Sequence, residues 1–374
     1  MGVERSLDPG ELRERLRKRS ATVEALKRRL DERERELELL RGERQSAPPP
    51  APDAEVPVFF VVGQAKSGTS WLMRLLDAHP EVLCRGEGRI FGLDYLREDL
   101  LEGDRPFQPS SLYRAFLEAD YLRAWVERSV WTRRGSTDEQ VRELVRLTAR
   151  HFLGAALAQS GMRVIGDKTP FLGDTILEEI GTIYPDARVV HIIRDGRDVA
   201  VSAMHHLWNQ RIPPRGSGLE DEEVRKRDAY RSDPRAFAEG GEGIFTERRL
   251  RATAAMWKRH VGRARDDGAR LLGDRYLEVR YEDLLERPEG ELGRIDVSLG
   301  VDDGADTLRE CIRAASFERW SGGRRQGDED SAALERKGIA GDWRQVFTDA
   351  DRAVFKQAAG EMLIDLGYER DGDW

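Results

Sequence analysis

Apolar residues recur along this chain in short unbroken runs separated by stretches of helical period. Val58-Phe59-Phe60-Val61-Val62 has no polar break and is rich in β-branched and aromatic residues, the pattern of a strand buried on both faces. It stops at Gly63, and Trp71, Leu72, Leu75 and Leu76 then fall at helix spacing, which predicts a helix over 68–78. The same reading predicts strands at 163–166, 188–193 and 276–280 and helices at 173–183 and 197–209. Such alternation defines an α/β fold with a central parallel sheet flanked by helices. Ligands in these folds bind at the carboxyl ends of the strands. Residues 95–160 read as mostly helical. Residues 211–248 are polar, contain Gly and Pro, and show no clear period, as expected of an insertion that is a lid or a loop.

A different pattern precedes this domain. Leu16, Val23, Leu30 and Leu37 recur every seven residues, with Leu12, Leu26 and Leu40 as companions and Arg19 and Arg33 as interruptions. Residues 8–45 are thus expected to form a charged helix, either a weak coiled coil that pairs two copies or a solvated helix. Ala47-Pro48-Pro49-Pro50-Ala51-Pro52 follows as a stiff linker. The expected layout is a helix over 1–46, a linker over 47–55 and one domain over 56–374.

The chemistry concentrates where predicted strands end. Gly63-Gln64-Ala65-Lys66-Ser67-Gly68-Thr69-Ser70 joins a strand to a helix N-terminus, where free N–H groups and the helix dipole attract an anion. Lys66 adds a charge, and Thr69 and Ser70 add hydroxyls. In a Walker A loop the lysine follows the second glycine; here it precedes it by two residues, which argues against a nucleoside-triphosphate kinase. A second strand end carries Arg194-Asp195-Gly196-Arg197-Asp198, with Ser202 about two turns further on, able to face the same anion as Arg194. Near the C-terminus stands Arg336-Lys337-Gly338-Ile339-Ala340-Gly341-Asp342-Trp343, where Gly338 permits close backbone approach and two cations flank it.

These three segments, in this order, resemble the 5′-phosphosulfate loop (KSGTSW), the 3′-phosphate motif and the RKGxxGDW signature of sulfotransferases that use 3′-phosphoadenosine 5′-phosphosulfate (PAPS). The resemblance covers most of the chain after residue 55 and implies the P-loop-like sulfotransferase fold. It further implies that PAPS is the co-substrate, that Lys66, Ser67, Gly68, Thr69 and Ser70 hold the 5′ end, and that Arg194, Ser202, Arg336, Lys337 and Gly338 hold the 3′-phosphate. Tyr281, Phe317 and Trp71 match the family's adenine contacts. Phenol- and steroid-sulfating members carry a Lys-x-His pattern; this chain reads Asp167-Lys168-Thr169-Pro170 and lacks that histidine, which resembles the bacterial and carbohydrate-directed branches. Glu87 is then the expected base and Lys168 a contact to the sulfuryl oxygens, with His205 and His206 in reserve. The acceptor implied is a small molecule or glycan. Two other readings remain: a catalytically silent nucleotide-binding scaffold acting through its N-terminal helix, and a P-loop kinase.

Composition narrows the partners. The 374 residues carry a net charge of −8, which disfavours nucleic acid and anionic membranes, while 62 Lys and Arg residues leave room for a local basic cleft. Two separated cysteines, Cys84 and Cys311, make neither a disulfide framework nor a metal site, and the chemistry above requires no metal. No apolar run approaches the roughly 18 residues of a membrane span, and no signal pattern opens the chain. A cytoplasmic location is the expectation.

Overall fold

A computed structural model describes residues 56–92, 111–132, 135–171, 175–209, 219–237, 242–329 and 336–374. The predicted helix over 8–45 and its proline-rich linker lie outside the described residues. Five strands form one sheet: β1 (Val58–Gly63), β2 (Val82–Gly86), β3 (Val164–Pro170), β4 (Arg188–Ile193) and β5 (Tyr276–Arg280). Their order is β2-β3-β1-β4-β5, and every pairing is parallel.

The sheet is buried on both sides because β1 is apolar at every position. Phe59 and Val61 point into a core with Leu72, Leu75 and Val279; Val58, Phe60 and Val62 point into a second core with Ile176, Ile180 and Ile183. This is the two-faced burial that a continuous apolar run requires. A third core lies beyond β4, where Trp257, Phe347 and Phe355 pack under helices Gly196–Asn209, Glu247–Leu271 and Asp349–Asp365.

Three elements differ from the sequence reading. The strand β2 was not predicted: only Val82 and Cys84 are buried in Val-Leu-Cys-Arg-Gly, too short an alternation to stand out. Strand β3 runs through Pro170, four residues further than expected, and its polar Asp167, Lys168 and Thr169 are buried. The expected insertion contains a helix, Asp221–Ser232, begun by a capping box between Glu220 and Glu223.

One buried group opposes folding at high pH. Asp296, on helix Pro288–Leu299, is fully buried, and neither carboxyl oxygen has a hydrogen-bond partner. Burial, with Asp303 and Asp302 adding to it, pushes its pKa from 3.8 to about 7. The folded protein therefore keeps a proton that the unfolded chain releases. The stability this contributes is complete below pH 3.8 and is lost as pH rises through about 7. Asp296→Asn, which mimics the protonated carboxyl, is expected to raise the melting temperature over wild type at pH 8 and to leave it within a degree or so at pH 4 to 5. Thermal melts at the two pH values check this, and an equal effect at both would contradict it.

Candidate active site

The strand-end motifs converge at the carboxyl ends of the parallel strands. The loop after β1 turns at Lys66, whose φ of 76° lies in the left-handed region, and at Gly68, whose φ of 97° does too. A side chain at Gly68 would also strike the ring of Tyr281, since a Cβ there would sit 2.5 Å from it. The turn delivers helix Thr69–Asp77 with its N-terminus toward the loop, and the N–H groups of its first turn have no acceptor within the helix.

The pentapeptide after β4 divides its work. Arg194 donates to the carbonyl of Lys66 at 3.1 Å and to the carbonyl of Ile339 at 2.9 Å, and its guanidinium lies 4.5 Å from the Tyr281 ring centre. Asp195 and Arg197 form a separate, buried ion pair with Glu369, between the indoles of Trp343 and Trp374. Asp198 accepts from the backbone N–H of Gly341 at 2.7 Å and of Trp343 at 3.0 Å, fastening the C-terminal loop to the helix that follows β4. Burial raises the pKa of Asp198, against the pull of Arg194.

The C-terminal loop is held by its own network. Gly338 has φ of 67°, and a Cβ there would meet the Phe317 ring at 2.5 Å. Lys337 Nζ lies 2.8 Å from Asp342 and 3.2 Å from Glu329; Arg336 pairs with Asp342 and lies 3.1 Å from Glu329. Burial alone would raise the pKa of Asp342, but Arg336 and Lys337 override it and hold the carboxyl below its ordinary range.

Together these loops enclose a cavity of about 550 Å³, within the range of small-molecule sites. Lys66, Gly68, Thr69, Ser70, Trp71, Glu87, Lys168, Arg194, Ser202, Tyr281, Phe317, Arg336, Lys337 and Gly338 all line it. Six cations (these five Lys and Arg with Arg74) face two carboxylates, Glu87 and Asp342, so a protein of net charge −8 carries a lining of net charge +4. One end is apolar, with Leu284, Leu285, Pro288, Ile312 and Trp320. Trp71 meets Tyr281 edge-to-face at 5.5 Å and donates from its indole to the carbonyl of Ala315 at 3.1 Å. Across the cavity, Glu87 follows β2 and pairs with Lys168 of β3 at 2.5 Å; Gly86 leaves room for the lysine stem, since a Cβ there would sit 2.6 Å from Lys168.

Two predicted residues stand apart. Ser67 is buried and absent from the cavity lining, its N–H spent on the Gln64 carbonyl at 3.0 Å. His205 is buried against Trp208 and Tyr230, outside the lining; burial, with Arg336 adding to it, lowers its pKa to about 3. His206 does line the cavity, and burial, then the nearby Lys66 charge, lowers its pKa. Glu329, Asp342 and Asp198 had no role in the sequence reading. The two Asp lie inside quoted motifs, which was a usable signal; Glu329 lies seven residues from Arg336 with nothing to mark it.

Comparison with known proteins identifies the family. The family described as "Sulfotransferase family" matches residues 57–239, and "Sulfotransferase domain" matches 177–367, half of the chain. The protein is therefore a member of the sulfotransferase family. It is 24% identical over 334 residues to the nodulation protein NoeE of Sinorhizobium fredii, an alignment covering 84% of this chain and 66% of that longer protein. Among solved structures, mouse sulfotransferase SULT7A1 complexed with PAP has 17% identity and a TM-score of 0.45, covering 84% of this chain and 88% of that one. The sulfotransferase domain of the Synechococcus PCC 7002 olefin synthase has 18% identity and a TM-score of 0.42, covering 83% and 98%.

Two glycines at positive φ, Gly68 and Gly322, offer a direct check. For the nucleotide that the sequence resemblance implies, adenosine 3′,5′-bisphosphate, Gly68→Ala must adopt a strained φ and displace the Tyr281 ring, and is expected to weaken binding by tenfold or more in calorimetric titration. Gly322→Ala, also at positive φ (77°) but with nothing within 4 Å of the new Cβ, is expected to leave binding within about twofold.

Proposed function

We propose that this protein transfers a sulfuryl group from PAPS to a hydroxyl or amine of a carbohydrate, lipid or specialised-metabolite acceptor, releasing adenosine 3′,5′-bisphosphate. The observation that carries the reading is the convergence, in one cavity, of a lysine-bearing strand-to-helix loop at one place and the Arg194, Arg336 and Lys337 cluster at another. Two separate cationic centres suit a nucleotide with phosphate at both 5′ and 3′ positions. The apolar end and the Trp71–Tyr281 pair suit a base between them; base–aromatic stacking contributes roughly 1–3 kcal/mol.

In this reading the acceptor oxygen attacks sulfur in line with the bridging S–O bond. That bond breaks, and its electron pair leaves with the 5′-phosphate of the bisphosphate. Lys66, the Thr69 and Ser70 hydroxyls and the helix N–H groups stabilise the charge gathering on that phosphate. The acceptor proton passes to the Glu87 carboxylate, which stands at the cavity wall beside Lys168. Lys168 holds Glu87 in place and meets the sulfuryl oxygens. His206 is the second base candidate, because it shares the cavity with Lys66.

Thermal stability with nucleotides tests the donor. Adenosine 3′,5′-bisphosphate at about 100 times its dissociation constant is expected to stabilise by about 2.7 kcal/mol, and 5′-AMP or ATP with magnesium at the same concentration by much less. Equal or greater stabilisation by ATP with magnesium would replace this reading with a kinase-like one. Lys66→Ala is expected to abolish turnover with the fold intact. Glu87→Gln is expected to cut turnover by about 10²-fold or more at unchanged nucleotide affinity. A Glu87→Gln enzyme with full turnover, beside an inactive His206→Asn enzyme, would move the base to His206.

A further inference from the structure

Arg336 and Lys337 share the same two carboxylates, but those carboxylates are not equivalent. The Asp342 side chain is 2% exposed and belongs to the same loop as the cations. The Glu329 side chain is 30% exposed, lies seven residues before Arg336 in the sequence, and touches both cations at 3.1 and 3.2 Å. A third contact, the Tyr230 hydroxyl donating to Glu329 at 3.0 Å, comes from the helix Asp221–Ser232. The cluster is thus two positive and two negative charges, fully neutralised.

We propose that Glu329 competes with the nucleotide's 3′-phosphate for Arg336 and Lys337, and that this competition sets how fast the bisphosphate product leaves. The inference rests on the reading of this cavity as a PAPS site. The argument is one of charge and mobility. A phosphate dianion cannot sit on a neutral cluster beside a retained carboxylate without strong repulsion, so one carboxylate must give way. Asp342 cannot, because it is enclosed and orients both cations. Glu329 can, because its side chain is 30% exposed and, beyond the two cations, the contact that holds it among the described residues is the Tyr230 hydroxyl. Its departure leaves two positive charges against one negative, a net cation facing the phosphate. When the phosphate loosens, Glu329 supplies a second carboxylate for the cations, so two buried positive charges are not left to share Asp342 alone, an imbalance that is costly in a buried cluster. The carboxylate therefore weakens nucleotide binding in exchange for release.

Glu329 does not touch the reacting atoms; it acts through Arg336 and Lys337. Calorimetry and stopped-flow release with the full chain test the idea, comparing adenosine 3′,5′-bisphosphate with 5′-AMP. Wild type is expected to prefer the bisphosphate by tenfold or more. Glu329→Gln, similar in shape but uncharged, is expected to bind the bisphosphate about tenfold more tightly again, mainly through slower release, while 5′-AMP affinity stays within about twofold. Tyr230→Phe, which frees Glu329 without discharging it, is expected to shift the bisphosphate in the same direction by less. Unchanged or weakened bisphosphate binding in Glu329→Gln would overturn the inference, as would equal tightening of both nucleotides, the mark of a general charge effect. A wild type that fails to distinguish the two nucleotides would overturn the PAPS reading and this inference with it.

Discussion

The Arg194 guanidinium is the joint on which the site depends. It reaches the carbonyl of Lys66 in the loop after β1 and the carbonyl of Ile339 in the C-terminal loop, and it stacks over Tyr281 after β5. Segments 128 and 145 residues away in sequence are thereby held to one strand end. The arginine is itself fixed from behind, since the Trp257 indole donates to its carbonyl at 3.1 Å. Turning the Lys66 carbonyl toward Arg194 is compatible with the left-handed φ at Lys66, a conformation costing on the order of 1 kcal/mol or more. A planar guanidinium suits this task better than an ammonium, because its fork fixes two acceptors in a set geometry.

Electrostatics in the cavity follow from where carboxylates are allowed. A cavity lined by six cations would repel itself if each charge were buried alone. Here Lys168 has Glu87, and Arg336 and Lys337 have Asp342 and Glu329. Arg194 lies 3.9 Å from Asp198, whose two oxygens are already committed to backbone N–H groups. The partners differ in how firmly they are fixed. Asp198 and Asp342 are almost wholly enclosed, while Glu87 and Glu329 are 48% and 30% exposed. The two less enclosed carboxylates are the ones assigned a changing role, proton transfer for Glu87 and displacement for Glu329.

The central fold was legible because its signals are local. The β1 run, the left-handed glycine before a helix and the charged strand end after β4 each declare themselves within about ten residues. The strand β2 did not, because five residues with two inward positions fall below what alternation can resolve. Its absence from the sequence reading left Glu87 without a scaffold, although the residue itself was named. Structure supplies the missing step: the pairing of Gly86 with Lys168 brings Glu87 to the end of β3. Ser67 shows the opposite case. Its place in a phosphate-type loop suggested a ligand contact, yet the turn spends its N–H on Gln64 and buries its side chain. Motif membership fixes where the backbone goes more reliably than where each side chain points.

The Arg194–Asp198 pentapeptide shows why a charged motif resists a single label. From sequence, an Arg-Asp pair at a strand end reads either as an anion site or as a structural ion pair. Both are present, interleaved. Arg197, fully buried, bonds Asp195 and Glu369 and lies 3.7 Å from the Trp343 ring centre, so it ties the C-terminal residues to the strand end. Removing one member of such a buried set costs about 3–5 kcal/mol, because the others lose their counter-charge. Arg194 and Asp198, four residues apart in sequence, face the cavity and the C-terminal loop instead. Helix geometry separates the two duties: once the chain enters the helix at Gly196, residues one apart diverge by about 100°, so neighbours in sequence serve opposite sides. Trp343 closes the circuit, since its N–H is held by Asp198 and its ring by Arg197. The loop that carries Arg336 and Lys337 is therefore anchored at its far end by both halves of the motif. Asp195 and Arg197, which do not line the cavity, are thus connected through Trp343 to the loop that carries those two cations.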